Sequence, residues 1–152
     1  MRGAALYQQS CAACHQPDGQ GVRLSADDAA AQKKRYQFPP LWGPDSYNDG
    51  AGMARLLSAA AFIKHNMPFG TTYASPALSD EEAYDVAAFI NSTERPQRPN
   101  LEKDFPNRLQ KPVDTAYGPY ADDFPAAQHK LGPFDPIRAK IRELAAQAAP
   151  PR

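Results

Sequence analysis

The feature that most constrains this chain is the pentapeptide C-A-A-C-H at positions 11–15, which contains both cysteines and one of the three histidines. Residues at i, i+3 and i+4 share one face of a helical turn, so Cys11, Cys14 and His15 are expected to lie side by side. A C-x-x-C pair can oxidise to a disulfide, but redox motifs of that type accompany a βαβ pattern, which this sequence lacks. A structural zinc site needs four ligands, and the sequence has no third cysteine.

The same spacing suits a covalently attached haem. Two cysteine thiols form thioether bonds to the vinyl groups of the porphyrin, while the imidazole of the adjacent histidine binds the iron. C-x-x-C-H is a signal for c-type haem attachment. We therefore predict one covalent haem c held by Cys11, Cys14 and His15, with a chance match to this short motif as the remaining alternative.

The second axial ligand of such a haem is predicted to be a methionine, because histidine and methionine together raise the reduction potential and suit electron transfer. Of the three methionines, one is the first residue, and Met53 lies on an apolar helical stripe where packing is the expected role. Met67 follows a helix and precedes Pro68, which disfavours helical geometry at Met67 and stiffens the loop. We predict iron coordination by Met67 opposite the histidine. Lys64 and His65 are interpreted as surface residues at the helix end, with iron binding as the alternative.

The segment P-P-L-W-G at positions 39–43 lies between the two predicted iron ligands. A histidine that binds a metal usually donates its other ring proton to a carbonyl or carboxylate oxygen, which fixes the tautomer. The carbonyl of Pro39 is the candidate acceptor for His15, although the prolines also suit a simple turn. Trp42 is expected either to pack on the edge of the macrocycle or to fill the core.

Composition excludes some partners. The 152 residues carry seventeen basic and seventeen acidic side chains, so no net field attracts nucleic acid or an anionic membrane. No stretch approaches the roughly 20 apolar residues that span a bilayer, and we expect no membrane span. The sixteen prolines indicate that much of the backbone is loop.

Apolar residues at helical spacing predict an all-α fold of three to four short helices around the haem. The first helix is expected over residues 3–12, and the second is expected to end near Asn66. The third is the clearest, because Ser79 and Glu82 form a capping box ahead of an apolar face. A last short helix is expected to have Asp135 as its cap. No strand pattern is apparent.

Proline content divides the chain into two parts. Residues 1–92 are predicted to form the haem domain. Residues 93–152 hold ten of the sixteen prolines and are predicted to form an extended arm, with a short terminal helix, that packs on the haem domain. A disordered tail would be poorer in aromatic residues. Within this arm, His129 is interpreted as a surface residue.

These motifs together resemble the class I cytochromes c. The matching segments are C-A-A-C-H near the start, P-P-L-W-G in the middle, N-M-P-F-G around Met67, and D-V-A-A-F-I in the capped helix. The resemblance implies that the first and last helices of the haem domain cross by packing a small residue near an aromatic one. Gly3 with Tyr7, and Phe89, are the matching positions.

A narrower resemblance covers nearly the whole chain. The peptides "FPPLWGPDSYNDGAGMARL" and "KPVDTAYGPYADDF" are similar to the C-terminal haem domain of the thiosulfate dehydrogenases, which couple two thiosulfates into tetrathionate. This resemblance implies a periplasmic protein in which His15 and Met67 bind the electron-accepting haem. In that family the substrate reacts at another haem, in an N-terminal domain, which carries a cysteine thiolate. This sequence has no second C-x-x-C-H and no further cysteine.

The leading hypothesis is therefore a monohaem electron-transfer domain. Its expected partners are an N-terminal catalytic haem domain, or another redox partner, and a soluble electron-accepting cytochrome. The alternatives are a stand-alone periplasmic electron carrier and, less favoured because the catalytic thiolate is missing, a self-sufficient thiosulfate-oxidising enzyme. A zinc or disulfide module is the alternative from a different class.

Overall fold

The computed structural model describes residues 2–24 and 36–148, and the chain divides into two compact units, Met1–Gln97 and Arg98–Arg152. Most of the regular structure in the described residues is helical, which confirms the all-α prediction. The predicted boundary after residue 92, and the packing of the second part on the first, stay predictions. The elements are α1 (Arg2–Ser10), α2 (Ala12–His15), β1 (Val22–Arg23), β2 (Tyr36–Phe38), α3 (Leu56–Asn66), α4 (Asp80–Ser92), α5 (Ala126–Leu131) and α6 (Asp135–Ala148), with short 3-10 helices at Gly52–Ala54, Leu101–Lys103 and Arg108–Gln110.

The first unit is organised by the contact between α1 and α4. A Cβ atom added to Gly3 would lie 2.0 Å from the carbonyl oxygen of Asp85, so the two backbones approach as closely as only glycine allows. One turn further along α1, the ring of Tyr7 lies 5.5 Å from that of Phe89 on α4. These contacts confirm the helix crossing that the family resemblance implied. The apolar side chains buried in this unit include Tyr7, Leu56, Ala60, Ile63, Val86, Ala87 and Ile90.

The start of α4 and the end of α3 follow the sequence signals. The hydroxyl of Ser79 accepts a hydrogen bond from the Glu82 backbone N–H at 3.3 Å, and the Glu82 carboxylate accepts one from the Ser79 N–H at 2.9 Å. These hydrogen bonds from Ser79 lower the pKa of the Glu82 carboxyl. The capping box is therefore confirmed, and α3 ends at Asn66 as predicted.

Two local features differ from the predictions. The first helical stretch ends at Ser10, and Cys11 separates it from the short helix α2. Strands β1 and β2 pair in an antiparallel sheet that the sequence did not indicate. The strands are two and three residues long, which is shorter than the run of four or more alternating residues that a strand pattern requires.

The second unit contains α5 and α6 and corrects the prediction for His129. Its side chain is buried, with 2% of the residue exposed. Nδ1 lies 2.8 Å from the carbonyl oxygen of Val113, and Nε2 lies 3.0 Å from the Asp122 carboxylate. The ring stacks on Tyr120 at 3.7 Å. The prediction was wrong because the polar neighbours of His129 along the sequence do not indicate which face of α5 is covered.

The start of α6 also differs slightly from the prediction, since Asp135 is the first residue of the helix and not its cap. Nearby in this unit, Lys111 is buried with its amine over the rings of Tyr117, at 4.5 Å, and Tyr120, at 5.1 Å. Burial lowers the pKa of the Lys111 amine. Across residues 2–24 and 36–148, none of the helices has the length and apolar character that crossing a membrane requires.

Candidate haem site

The pentapeptide at positions 11–15 forms one helical turn directly after α1. The backbone N–H of Cys11 donates to the Tyr7 carbonyl at 2.8 Å, and the N–H of His15 donates to the Cys11 carbonyl at 2.9 Å. This turn places Cys11, Cys14 and His15 within i, i+3 and i+4 spacing, as predicted. The structure therefore brings both thiols and the imidazole together.

Both cysteines are free and half-buried. Burial, with a further contribution from Cys14, raises the pKa of the Cys11 thiol to about 11. The free Cys11 thiol is thus protonated at neutral pH. Two unbonded thiols one helical turn apart fit the two thioether attachments that haem c requires.

The imidazole of His15 is buried, and a hydrogen bond orients it. Its Nδ1 lies 2.8 Å from the carbonyl oxygen of Pro39, which confirms the predicted acceptor. A carbonyl oxygen can only accept, so Nδ1 carries the proton and donates it to Pro39. The lone pair of Nε2 is then available to bind a metal, and this is the tautomer that a haem iron needs.

A loop that the sequence analysis did not single out holds Pro39 in position. The N–H of Gly21 donates to the His15 carbonyl at 2.9 Å, and the N–H of Leu41 donates to the Gly19 carbonyl at 2.8 Å. The backbone of Gly19 has φ +69°, and a Cβ there would lie 2.3 Å from the ring of Trp42. The sequence signal for this loop was the pair of glycines in the segment D-G-Q-G at positions 18–21, because positive φ and close approach of another segment both favour glycine.

Trp42 is half-buried and packs against aromatic side chains of α1 and α4, and its packing on the macrocycle stays a prediction. Its ring lies 5.0 Å from Tyr7 and 5.6 Å from Phe89, edge on to the latter. The hydroxyl of Tyr7 donates to the Gln16 carbonyl at 2.8 Å, and burial raises the pKa of Tyr7. This aromatic cluster ties α1 and α4 to the histidine loop.

Met67 lies directly after α3, as predicted. Its N–H donates to the Ile63 carbonyl at 2.9 Å, its backbone is extended, and its side chain is half-buried. Of the alternative ligands, Lys64 forms an ion pair with Asp80, and the ring of His65 stacks on Tyr73 at 4.4 Å. Iron coordination by Met67 stays a prediction.

The residues present therefore fit a covalent haem. Cys11 and Cys14 would tether it, and Nε2 of His15 would bind the iron on one side, with Met67 as the proposed ligand on the other. When bound, haem c supplies one-electron redox chemistry.

Comparison with known proteins agrees with this chemistry. The sequence model of the cytochrome c family matches residues 1–94. The chain is 55% identical over 96 residues to a thiosulfate dehydrogenase of Allochromatium vinosum, covering 63% of this chain and 32% of the relative. It is 49% identical over 100 residues to a thiosulfate dehydrogenase of Stutzerimonas stutzeri, covering 66% of this chain and 29% of that relative.

A solved structure shows the same likeness. It is the "as isolated" form of the thiosulfate dehydrogenase TsdBA from Marichromatium purpuratum, with a TM-score of 0.57 and 41% sequence identity over 88% of this chain and 22% of that one. The chain spans about a third of the length of the curated relatives described above. Both the family match and the single C-x-x-C-H sequence imply one covalent haem c. The chain therefore belongs to the cytochrome c family.

Proposed function

We propose that this chain is the electron-accepting haem domain of a periplasmic thiosulfate dehydrogenase. The observation that carries the proposal is the hydrogen bond of 2.8 Å between His15 Nδ1 and Pro39, beside two free thiols on the same helical turn. This arrangement fits a haem whose task is to take up and release one electron. The similarity to thiosulfate dehydrogenases supports the choice of enzyme.

Each residue of the site has a distinct role in this proposal. Cys11 and Cys14 fix the porphyrin, so the haem stays attached in both redox states. The bond from His15 to the Pro39 carbonyl orients the imidazole and makes Nε2 a stronger donor to iron. Coordination by Met67 raises the reduction potential, which favours electron uptake from a donor haem.

The partners follow from what the chain contains. Its two cysteines both belong to the haem motif, so a catalytic thiolate has to come from another domain. We therefore propose that a catalytic haem domain, fused to this chain or bound to it, oxidises thiosulfate and passes electrons here. A soluble cytochrome then accepts them.

The first test concerns the iron ligands. Met67→Ala is expected to lower the reduction potential markedly and to change the low-spin spectrum, because the thioether ligand is lost. Met53→Ala is the matched control, since Met53 is also half-buried but lies in the 3-10 helix Gly52–Ala54. Spectroelectrochemical titration of each haem-loaded variant measures the reduction potential and the spectrum together. An unchanged midpoint potential in Met67→Ala removes Met67 from the iron.

The second test concerns turnover. The purified haem-loaded chain is expected to form no tetrathionate from thiosulfate with an artificial electron acceptor. It is also expected to become reduced when a separately expressed catalytic haem domain of a relative and thiosulfate are added. Tetrathionate formation by this chain alone would show that it is the complete enzyme.

A further inference from the structure

The residue that follows His15 has a backbone conformation that is rare outside glycine. Gln16, directly after α2, has φ 67° and ψ 155°. Glycine alone enters this region readily, because the Cβ atom of any other residue crowds the neighbouring peptide groups. A strained backbone of this kind persists only where the surrounding structure holds it, and such residues are concentrated at functional sites. The strain at Gln16 therefore needs a cause and a contact that maintains it.

The cause of the strain lies in the two neighbours of Gln16 along the chain. α2 ends at His15, and a residue directly after a helix often takes the left-handed conformation, with positive φ and ψ of about 47°. Pro17 follows Gln16, and a proline pushes the residue before it to ψ of about 120–160°. The helix end thus accounts for the positive φ of Gln16, and Pro17 accounts for its extended ψ.

Side chains of α1 hold this strained turn. The Tyr7 hydroxyl donates to the Gln16 carbonyl at 2.8 Å. Gln8 Nε2 donates to the Pro17 carbonyl at 3.4 Å, but Gln8 is exposed whereas Tyr7 is completely buried. The Gly19 N–H also donates to the Gln16 carbonyl, at 3.0 Å. The Gln16 carbonyl is therefore bound both by α1 and by its own loop, and the contact from α1 is shielded from water.

The strained turn leads into the loop that positions the acceptor of His15. The Gly21 N–H returns to the His15 carbonyl at 2.9 Å, and the Gly19 carbonyl accepts from the Leu41 N–H at 2.8 Å. Two residues before Leu41 is Pro39, whose carbonyl oxygen lies 2.8 Å from Nδ1 of His15. The direction in which the chain leaves the histidine thus determines where the segment that carries its acceptor is bound.

We propose that Tyr7 is a positioning residue for the histidine that binds the iron. Its hydroxyl holds the Gln16 peptide in the strained conformation, and the loop that follows then places the Pro39 carbonyl against Nδ1 of His15. The inference rests on iron coordination by His15 and not on thiosulfate oxidation. Its failure leaves the turnover and methionine-ligand tests of the proposed function unaffected.

The first test is Tyr7→Phe in the haem-loaded protein, which keeps the ring against Trp42 and Phe89 but removes the hydroxyl. The hydrogen bond from His15 to Pro39 is then expected to open more often. In the ferrous, diamagnetic protein, NMR measures the exchange of the His15 Nδ1 proton with water. This exchange is expected to be about two to ten times faster than in the parent protein, as the loss of one ordinary hydrogen bond predicts. The reduction potential is expected to rise, because a weaker bond from Nδ1 makes the imidazole a poorer donor to ferric iron.

The matched control is Tyr47→Phe, which removes a tyrosine hydroxyl of the same unit that donates to the Asn91 side chain. It is expected to leave the exchange rate of the His15 proton and the reduction potential unchanged. If Tyr7→Phe lowers only the melting temperature, while the exchange rate and the potential stay as in the parent protein, Tyr7 merely stabilises the fold and the proposal is overturned.

A second variant tests the strain itself and decides the matter if Tyr7→Phe takes up no haem. Gln16→Gly is expected to raise the melting temperature, because glycine adopts this conformation without strain. Gln97→Gly is the matched control, at an exposed residue of the same unit without positive φ, and is expected to be neutral or to lower the melting temperature. A Gln16→Gly protein that melts below the parent protein overturns the proposal.

The two variants combined give a further check. A relaxed turn needs no holding bond, so Tyr7→Phe is expected to lower the melting temperature less in the Gln16→Gly background than in the parent protein. Equal losses in the two backgrounds would show that the Tyr7 hydroxyl does not hold the strained turn.

Discussion

The contact between α1 and α4 allows a sharp prediction at Gly3. In Gly3→Ala, the new Cβ would lie 2.0 Å from the Asp85 carbonyl oxygen and 3.0 Å from the Phe89 Cβ. Ordinary contact begins at 3.4 Å, so the helices have to separate by about 3.4 − 2.0 = 1.4 Å at this point. The obstructing atom belongs to the α4 backbone, which cannot rotate away as a side chain does.

The expected loss in the free energy of unfolding of Gly3→Ala follows from two opposing effects. Overpacking of this kind destabilises by about 1–3 kcal/mol, and a backbone obstruction belongs at the upper end. Alanine gains about 1 kcal/mol over glycine in helix propensity. The net loss is about 1–2 kcal/mol, which lowers the melting temperature of a unit of this size by roughly 5–15 °C.

Thermal unfolding of the ferric haem-loaded protein, followed by far-ultraviolet circular dichroism, measures this loss. Gly52→Ala is the matched control, because a Cβ at Gly52 meets nothing within 4 Å. It is expected to be neutral or slightly stabilising, by less than about 1 kcal/mol. If Gly3→Ala unfolds at the same temperature as Gly52→Ala, the helices do not cross at Gly3 as described.

Two further predictions concern the helix cap and the buried histidine. Ser79→Ala is expected to lower the melting temperature by a few degrees, because the hydroxyl that accepts from the Glu82 backbone N–H is lost. The bond from the Ser79 backbone N–H lowers the pKa of the Glu82 carboxyl, so this bond stabilises the parent protein at pH values above the unfolded pKa of Glu82, and the contribution is lost as pH falls through the lowered folded pKa. His129→Phe keeps a ring on Tyr120 but leaves the Asp122 carboxylate without that donor, and is expected to cost about 2–4 kcal/mol. Denaturant unfolding measures this loss in the free energy of unfolding, and adding Asp122→Leu should recover part of it.

The haem motif, the start of α4 and the end of α3 could be predicted from sequence because each depends on neighbours along the chain. Cys11 and His15 are four residues apart, so one helical turn determines their arrangement. The capping box of α4 likewise needs only Ser79 and Glu82. Met67 was placed after a helix by the proline that follows it, which is also a local effect.

The interactions that sequence reasoning missed join residues that are far apart in the chain. The loop at positions 18–21 binds the segment at positions 39–43 through backbone groups, and a backbone carbonyl has no sequence signature. Pro39 could be identified only because a metal-binding histidine needs an acceptor and few candidates lie between the ligands. The glycines at positions 18–21 could be recognised in the sequence, but the residues that they contact at positions 38–42 could not.

His129 shows why polarity along the sequence is a weak guide to burial. Its two ring nitrogens both find partners, Val113 sixteen residues before it and Asp122 seven residues before it. A buried imidazole is favourable when both of its nitrogens have partners, and neither Val113 nor Asp122 belongs to α5. The same applies to Asn91, whose amide oxygen accepts from a tyrosine hydroxyl forty-four residues away. In both units, therefore, a polar residue on an otherwise ordinary helix is buried because a distant segment supplies its hydrogen bonds.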